Sequence, residues 1–153
     1  MRKSTLLGLI TSATLLAGCS TAQPVGQQMN NLHLNTINTD RNANMVFSRV
    51  PDAGNPISNA MMLTLLASGS RTNAVEGISE VLTARPKPPL GIIGDNTDVN
   101  VATLKLALKD LPDSPQAREY HVYIDASPEQ IAALQKIANS KNIKVYGTKN
   151  ASH

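Results

Sequence analysis

Leu90-Gly91-Ile92-Ile93-Gly94-Asp95-Asn96 is the stretch on which the fold turns. Its first four residues are apolar enough to be buried on both faces, and they run into a Gly-Asp-Asn turn signal, the pattern of a short interior strand. Val101, Leu104, Leu108 and Leu111 follow at spacings of three and four with Lys105 and Lys109 opposite, which predicts an amphipathic helix. Residues 120–124 then read as a second strand. Ser127-Pro128-Glu129-Gln130 supplies an N-cap, a first-position proline and a capping-box partner for a helix whose inner stripe is Ile131, Leu134, Ile137 and Ala138. Ile143 and Val145 alternate with Lys144 and Tyr146, as expected of a final strand at a sheet edge. Two successive strand–helix–strand units with right-handed crossovers predict an α/β fold: a small domain built on a short parallel three-stranded β-α-β-α-β sheet over residues 90–153.

Upstream, residues 45–89 read as a helical and extended subregion that adds a strand and one or two helices ahead of this core. Residues 45–50 form the strand, ended by Pro51-Asp52-Ala53-Gly54. Asn55 and Pro56 suit the cap and first position of a helix that is apolar nearly all round and stops at Gly69. Within it Met61-Met62 has two roles open to it, core filling or an adaptable docking surface. A weaker helix starts with Asn73 as cap and Glu76 three residues on, carries Val75, Ile78 and Leu82, and is weakened by Gly77. Arg85-Pro86-Lys87-Pro88-Pro89 then excludes regular structure and reads as a rigid connector or subdomain boundary.

Residues 19–44 differ in character. Gln23, Gln27, Gln28, Asn30, Asn31, Asn35, Asn38 and Asn42, with Pro24 and Gly26, predict a polar tether lacking the apolar surface to offset ordering entropy. As a coil of about 25 residues it would span roughly 25–30 Å. Leu32, Leu34 and Ile37 leave a second reading, a short strand or docking segment.

The first 19 residues carry the most specific signal in the chain. Arg2-Lys3 precede an apolar run from about Leu6 to Ala17, and small residues lead into Cys19, the single cysteine. A helix of roughly a dozen residues spans under about 20 Å against about 30 Å of hydrocarbon, too short for a permanent membrane crossing. Leu16-Ala17-Gly18-Cys19 resembles the lipobox of bacterial lipoproteins. That resemblance implies cleavage by signal peptidase II after residue 18 and attachment of diacylglycerol to the Cys19 thiol, usually with N-acylation such as palmitate. Ser20, following the cysteine, is similar to the outer-membrane sorting class, so the resemblance implies a lipid-anchored protein of the outer membrane facing the periplasm.

Removing Arg2 and Lys3 from the 14 Lys and Arg leaves 12 against 11 Asp and Glu, a near-neutral mature chain. No broad positive field remains, and with no Trp and a single Phe47 there is no aromatic stacking set, so nucleic acid is not an expected partner. With Cys19 lipidated, no thiol is left for a disulfide, metal cluster or nucleophile, and no cofactor or metal motif stands elsewhere. Ligands of open α/β sheets bind beyond the carboxyl ends of the strands, so Asp95, Asn96 and Asp125 are the candidate ligand-binding residues, with helix capping and turn closure as their structural role. The run from Gly91 to Asp95 lacks the spacing of a phosphate-binding loop. His33 falls in the tether, His153 is terminal, His121 sits in a strand without an evident partner, and Ser127 is accounted for by its cap. The sequence therefore points to an accessory or scaffold that binds another envelope protein, with a secretion, conjugation or pilus assembly as one setting, and shows no catalytic constellation. The alternative is a small-ligand binding domain or minor hydrolase at the carboxyl-end loops.

Overall fold

The computed structural model describes residues 23–39, 44–85, 88–113 and 119–148, so Cys19 and the whole signal segment lie outside the described residues. Within them the order is α1 (Val25–Thr39), β1 (Val46–Val50), α2 (Pro56–Ala67), α3 (Asn73–Ala84), β2 (Leu90–Gly94), α4 (Thr97–Asp110), β3 (Tyr120–Ile124), α5 (Pro128–Ala138), a 3-10 turn (Asn139–Lys141) and β4 (Ile143–Gly147). The α/β fold expected from residues 90–153 is present, with β4 at an edge as its alternation required.

The sheet is larger than the sequence suggested. It has four parallel strands in the order β1-β2-β3-β4, because residues 46–50 pair with β2 along their whole length, Val46 opposite Leu90 and Val50 opposite Gly94. Ser48 and Arg49 interrupt the apolar pattern of β1, which suits a strand with one free side. The Pro-rich segment is accordingly no subdomain boundary. Val50 and Leu66, together with Val75, Ile78 and Leu82 of α3, belong to the same core as Leu90, Ile92, Leu104, Val122, Ile124, Leu134 and Val145.

A strictly sequential strand order has a consequence for the layers. Right-handed crossovers between neighbouring strands all run over the same side, so α2 to α5 cover one face and leave the other bare. That second face carries Phe47, Ile93, Tyr123 and Tyr146, and α1 covers it. The tether reading of residues 19–44 is therefore corrected: residues 25–39 are helical, and Leu32 is fully buried against Ile93 and Tyr123. The inward positions of α1 are Val25, Gln28, Leu32 and Thr36, spaced by three and four, with Gln28 and Thr36 each 1% exposed. Two of the four inward positions are polar, which hides the period; Leu34 and Ile37, the apolar residues that stand out, are exposed.

Caps follow the sequence closely. Asn55 accepts a hydrogen bond from the Ser58 amide, and Ser127 and Gln130 complete the expected capping box. The cap of α3 is Thr72 rather than Asn73. Helix α2 ends in paired bonds from Gly69 N to Leu66 O and Ser70 N to Leu65 O, with Gly69 at φ 87°, the left-handed geometry that glycine tolerates. Its methionines divide: Met62 packs on the core, whereas Met61 joins Ile57 and Leu65 in an exposed stripe.

The two edges of the sheet are treated differently. On β4, the Gln135 side chain from α5 donates to Ile143 O at 2.9 Å and accepts from Val145 N at 2.8 Å, occupying the groups a further strand would use. On β1 the Val46 amide bonds inward to Pro89 O, so Val46, Ser48 and Val50 address β2 while the backbone of Phe47 and Arg49 addresses the outer side.

Candidate functional site

The carboxyl edge of the sheet gathers the residues selected from sequence, and each meets a partner within the chain. Asp95 leaves the end of β2 toward β1, where its Oδ2 lies 3.1 Å from Arg49 Nη2, with both side chains substantially exposed. Asn96 caps α4 by accepting from Val99 N at 3.1 Å. Asp125, 8% exposed at the end of β3, turns toward β4 and accepts from Thr148 Oγ1 at 2.7 Å. Asp95 and Asp125 thus engage opposite neighbours. Capping accounts for Asn96, and pairing across strand ends accounts for the two carboxylates.

Between them the edge is filled from the other face by Gln28, which sequence reasoning placed in the tether. Its Nε2 donates to Gly94 O at 2.8 Å and its Oε1 accepts from Gly94 N at 3.1 Å, so one amide side chain satisfies both peptide groups of the last residue of β2. The Gln28 amide also donates to Gln23 O, and Gln23 Oε1 accepts from Asn31 Nδ2 at 2.8 Å. Buried Asn100 packs against Gly94 from the helical side; a Cβ on Gly94 would come within 2.3 Å of the Asn100 side chain and 2.5 Å of Val50 O. Further out, Gln130 Nε2 donates to Asp98 Oδ1 at 3.0 Å, and Asn59, inside the first turn of α2, accepts from Ala53 N at 2.8 Å.

A second polar group lies on the α1 face. Glu119, His121 and Tyr123 alternate along one side of β3 and its approach, and Glu119 Oε1 is 3.1 Å from His121 Nε2. His121 therefore has the carboxylate partner that the sequence reading did not identify; the signal was the period of two that puts residues 119 and 121 on one side of a strand. Tyr146 stacks on Tyr123 at 4.9 Å and 16°, and meets the His121 ring edge-on at 5.3 Å. Burial, with the Tyr123 phenol and the Glu119 carboxylate nearby, pushes the Tyr146 hydroxyl pKa above its usual value. The Tyr123 hydroxyl is buried without a hydrogen-bond partner. Chemically this group orients an imidazole beside stacked phenols.

Two clefts open elsewhere. One of about 350 Å³ lies among Val50, Pro51, Met62, Thr72 and Thr103, and one of about 420 Å³ lies along α5 and β4 beside Ile131, Gln135 and Lys144. Neither is lined by Asp95, Asn96 or Asp125. Among the described residues no three His, Cys, Asp or Glu side chains gather as a metal site, and no helix is long and apolar enough to cross a membrane.

The described residues define a class: a singly wound parallel α/β domain, with the crossover helices α2 to α5 on one face and the amino-terminal helix α1 on the other. Searches against family models, curated proteins and solved structures return no match to the chain.

Proposed function

We propose that the protein is a lipid-anchored accessory or scaffold of the bacterial envelope, held in the outer membrane through Cys19, with its α/β domain in the periplasm recruiting another envelope protein. An assembly for secretion, conjugation or pilus formation is a setting in which such a component serves. Support for the anchor is the ordered sequence of basic, apolar and small residues before Cys19, with Ser20 after it.

The single observation that carries the scaffold reading is the asymmetry of the sheet. Gln135 closes β4 to further strands, whereas β1 ends the other side with Phe47 and Arg49 offering backbone groups outward and Val46 38% exposed. An extended segment of a partner protein adds to such an edge through main-chain hydrogen bonds, with side-chain contacts setting specificity. The ligand-binding alternative at Asp95, Asn96 and Asp125 has weaker support, since these groups already hold Arg49, the α4 cap and Thr148.

Two measurements test the proposal. Labelling with a palmitate analogue should mark the wild type and not Cys19→Ser; equal incorporation removes the anchor. A photo-crosslinking residue at Val46 in intact cells should yield an adduct with a second envelope protein, and the same residue at exposed Lys136 on α5 should not. Indistinguishable products from the two positions refute β1 as the recruiting edge.

A further inference from the structure

The structure shortens the connection between Cys19 and the folded domain, and this fixes a posture. Gln23 is already part of the fold: its carbonyl receives the Gln28 amide, and its own amide side chain receives Asn31. Gln28 in turn grips both peptide groups of Gly94, so Gln23 sits at the carboxyl edge of the sheet. Only residues 20–22 separate it from Cys19. Fully extended, that connection reaches at most about 14 Å, roughly half of what a free 25-residue coil would span. A lipid on Cys19 therefore brings the carboxyl edge down to the headgroups instead of holding the domain clear of them.

The same edge begins the most exposed apolar feature among the described residues. Val50 pairs with Gly94 at the end of β1, and Asn59 folds the first turn of α2 back onto the loop just beyond it by accepting from Ala53 N. From that turn Ile57, 77% exposed, leads a stripe continued by Met61 and Leu65 at intervals of four. Residues 53–70 contain no ionisable side chain. Among the described residues the rest of the edge is acidic, with Asp52, Asp95, Asp98 and Asp125 against Arg49. Attraction to anionic lipid is thus not what this edge offers; an uncharged apolar turn is suited to a zwitterionic headgroup–acyl boundary, where burial of apolar area is the driving term.

We propose that the domain rests on the bilayer by its carboxyl edge, with Ile57 entering the lipid interface as a second membrane contact beside the lipid on Cys19. This inference rests on Cys19 being lipidated. The acyl chains on Cys19 supply the attachment, and a second contact at Ile57 converts attachment into a defined orientation.

The chain has no tryptophan, so single-tryptophan variants report without background. The full lipidated protein carrying Ile57→Trp is reconstituted into phosphatidylcholine vesicles with brominated acyl chains and compared with Lys109→Trp, at the far end of α4. The expected result is a blue-shifted emission and several-fold stronger quenching for Ile57→Trp, lost when a 20-residue Gly/Ser spacer is inserted between residues 22 and 23. Equal quenching at the two positions in protein that floats with the vesicles overturns the posture while leaving the anchor intact. Wild-type protein that does not float, or Cys19→Ser that floats equally well, overturns the anchor and this contact with it. Quenching that appears only when phosphatidylglycerol is added would show a charge-driven contact and refute the uncharged one.

Discussion

Gln28 is a polar side chain at 1% exposure that acts as an extension of the sheet, closing both peptide groups of Gly94 where the β2–β3 register has already ended at Ile92. Gln28→Leu keeps the volume and removes both bonds; Gly94 O retains the Asn100 amide at 3.3 Å, so one buried backbone group, the Gly94 amide, is stranded. An unsatisfied buried group costs about 1–3 kcal/mol, so a loss of that size is expected in chemical denaturation, with faster hydrogen exchange at the Gly94 amide. Gly94→Ala attacks the same joint sterically, because the added Cβ meets Val50 O, a backbone atom with no rotamer to change. Lys141 plays a comparable part at the opposite edge: 5% exposed, it donates from Nζ to Leu111 O at 2.7 Å and to Asp113 Oδ1 at 3.0 Å, while Arg85 Nη2 donates to its carbonyl at 2.6 Å. None of these three contacts is legible in sequence, since each joins residues that are tens of positions apart.

Among the elements, α1 and α5 show how neighbours assign roles that local pattern leaves open. Helix α1 is rich in Asn and Gln and has no charge in either terminal turn, so its stability comes from docking on the sheet. Leu32→Ala removes its one fully buried leucine; a cost of about 2–5 kcal/mol is expected, with α1 becoming the first site of limited proteolysis. In α5 the residue that matters beyond the core is Gln135. Its amide presents one donor and one acceptor to β4 as a strand would, and free edges are templates for association. Gln135→Ala is expected to raise the tendency to self-associate, read as concentration-dependent mass by light scattering; an unchanged monomer would deny Gln135 this protective role. Helix α5 is recognisable in sequence because cap, proline and apolar stripe agree, and α4 because its apolar stripe is regular with lysines opposite. The apolar run of α2 announced a helix but not which side would face outward.

For the molecule as a whole, pH reports on the amino edge. The Ser140 hydroxyl, donating at 2.6 Å, and the nearby Lys141 ammonium hold the Asp113 carboxyl below the usual aspartate value. A carboxyl lowered on folding stabilises the protein above its unfolded value and loses that contribution as pH falls through the folded one. Acid unfolding should therefore have a component below about pH 4 that disappears in Asp113→Asn, with the two proteins differing by a constant amount above that range. At the alkaline end, burial pushes the Tyr120 hydroxyl, which donates to Pro88 O at 3.0 Å, up to about 12. A group raised on folding contributes fully below its unfolded value and loses the contribution as pH rises through the folded one, so stability should fall from about pH 10 upward. Tyr120→Phe should shallow that fall, as measured by melting temperature against pH.

By itself the sequence determined the caps of α2 and α5, the successive strand and helix units from residue 90 onward and the edge position of β4, because each depends on residues close together in the chain. Tertiary structure decided that β1 joins the sheet, that residues 25–39 form a helix, that Gln28 and Gln135 complete strand ends and edges, and that Asp95 and Asp125 turn to different neighbours. The physical reason is common to these. A singly wound sheet leaves one face and two edges to be covered, and what covers them is set by free energy gained across the sheet, which local periodicity does not record.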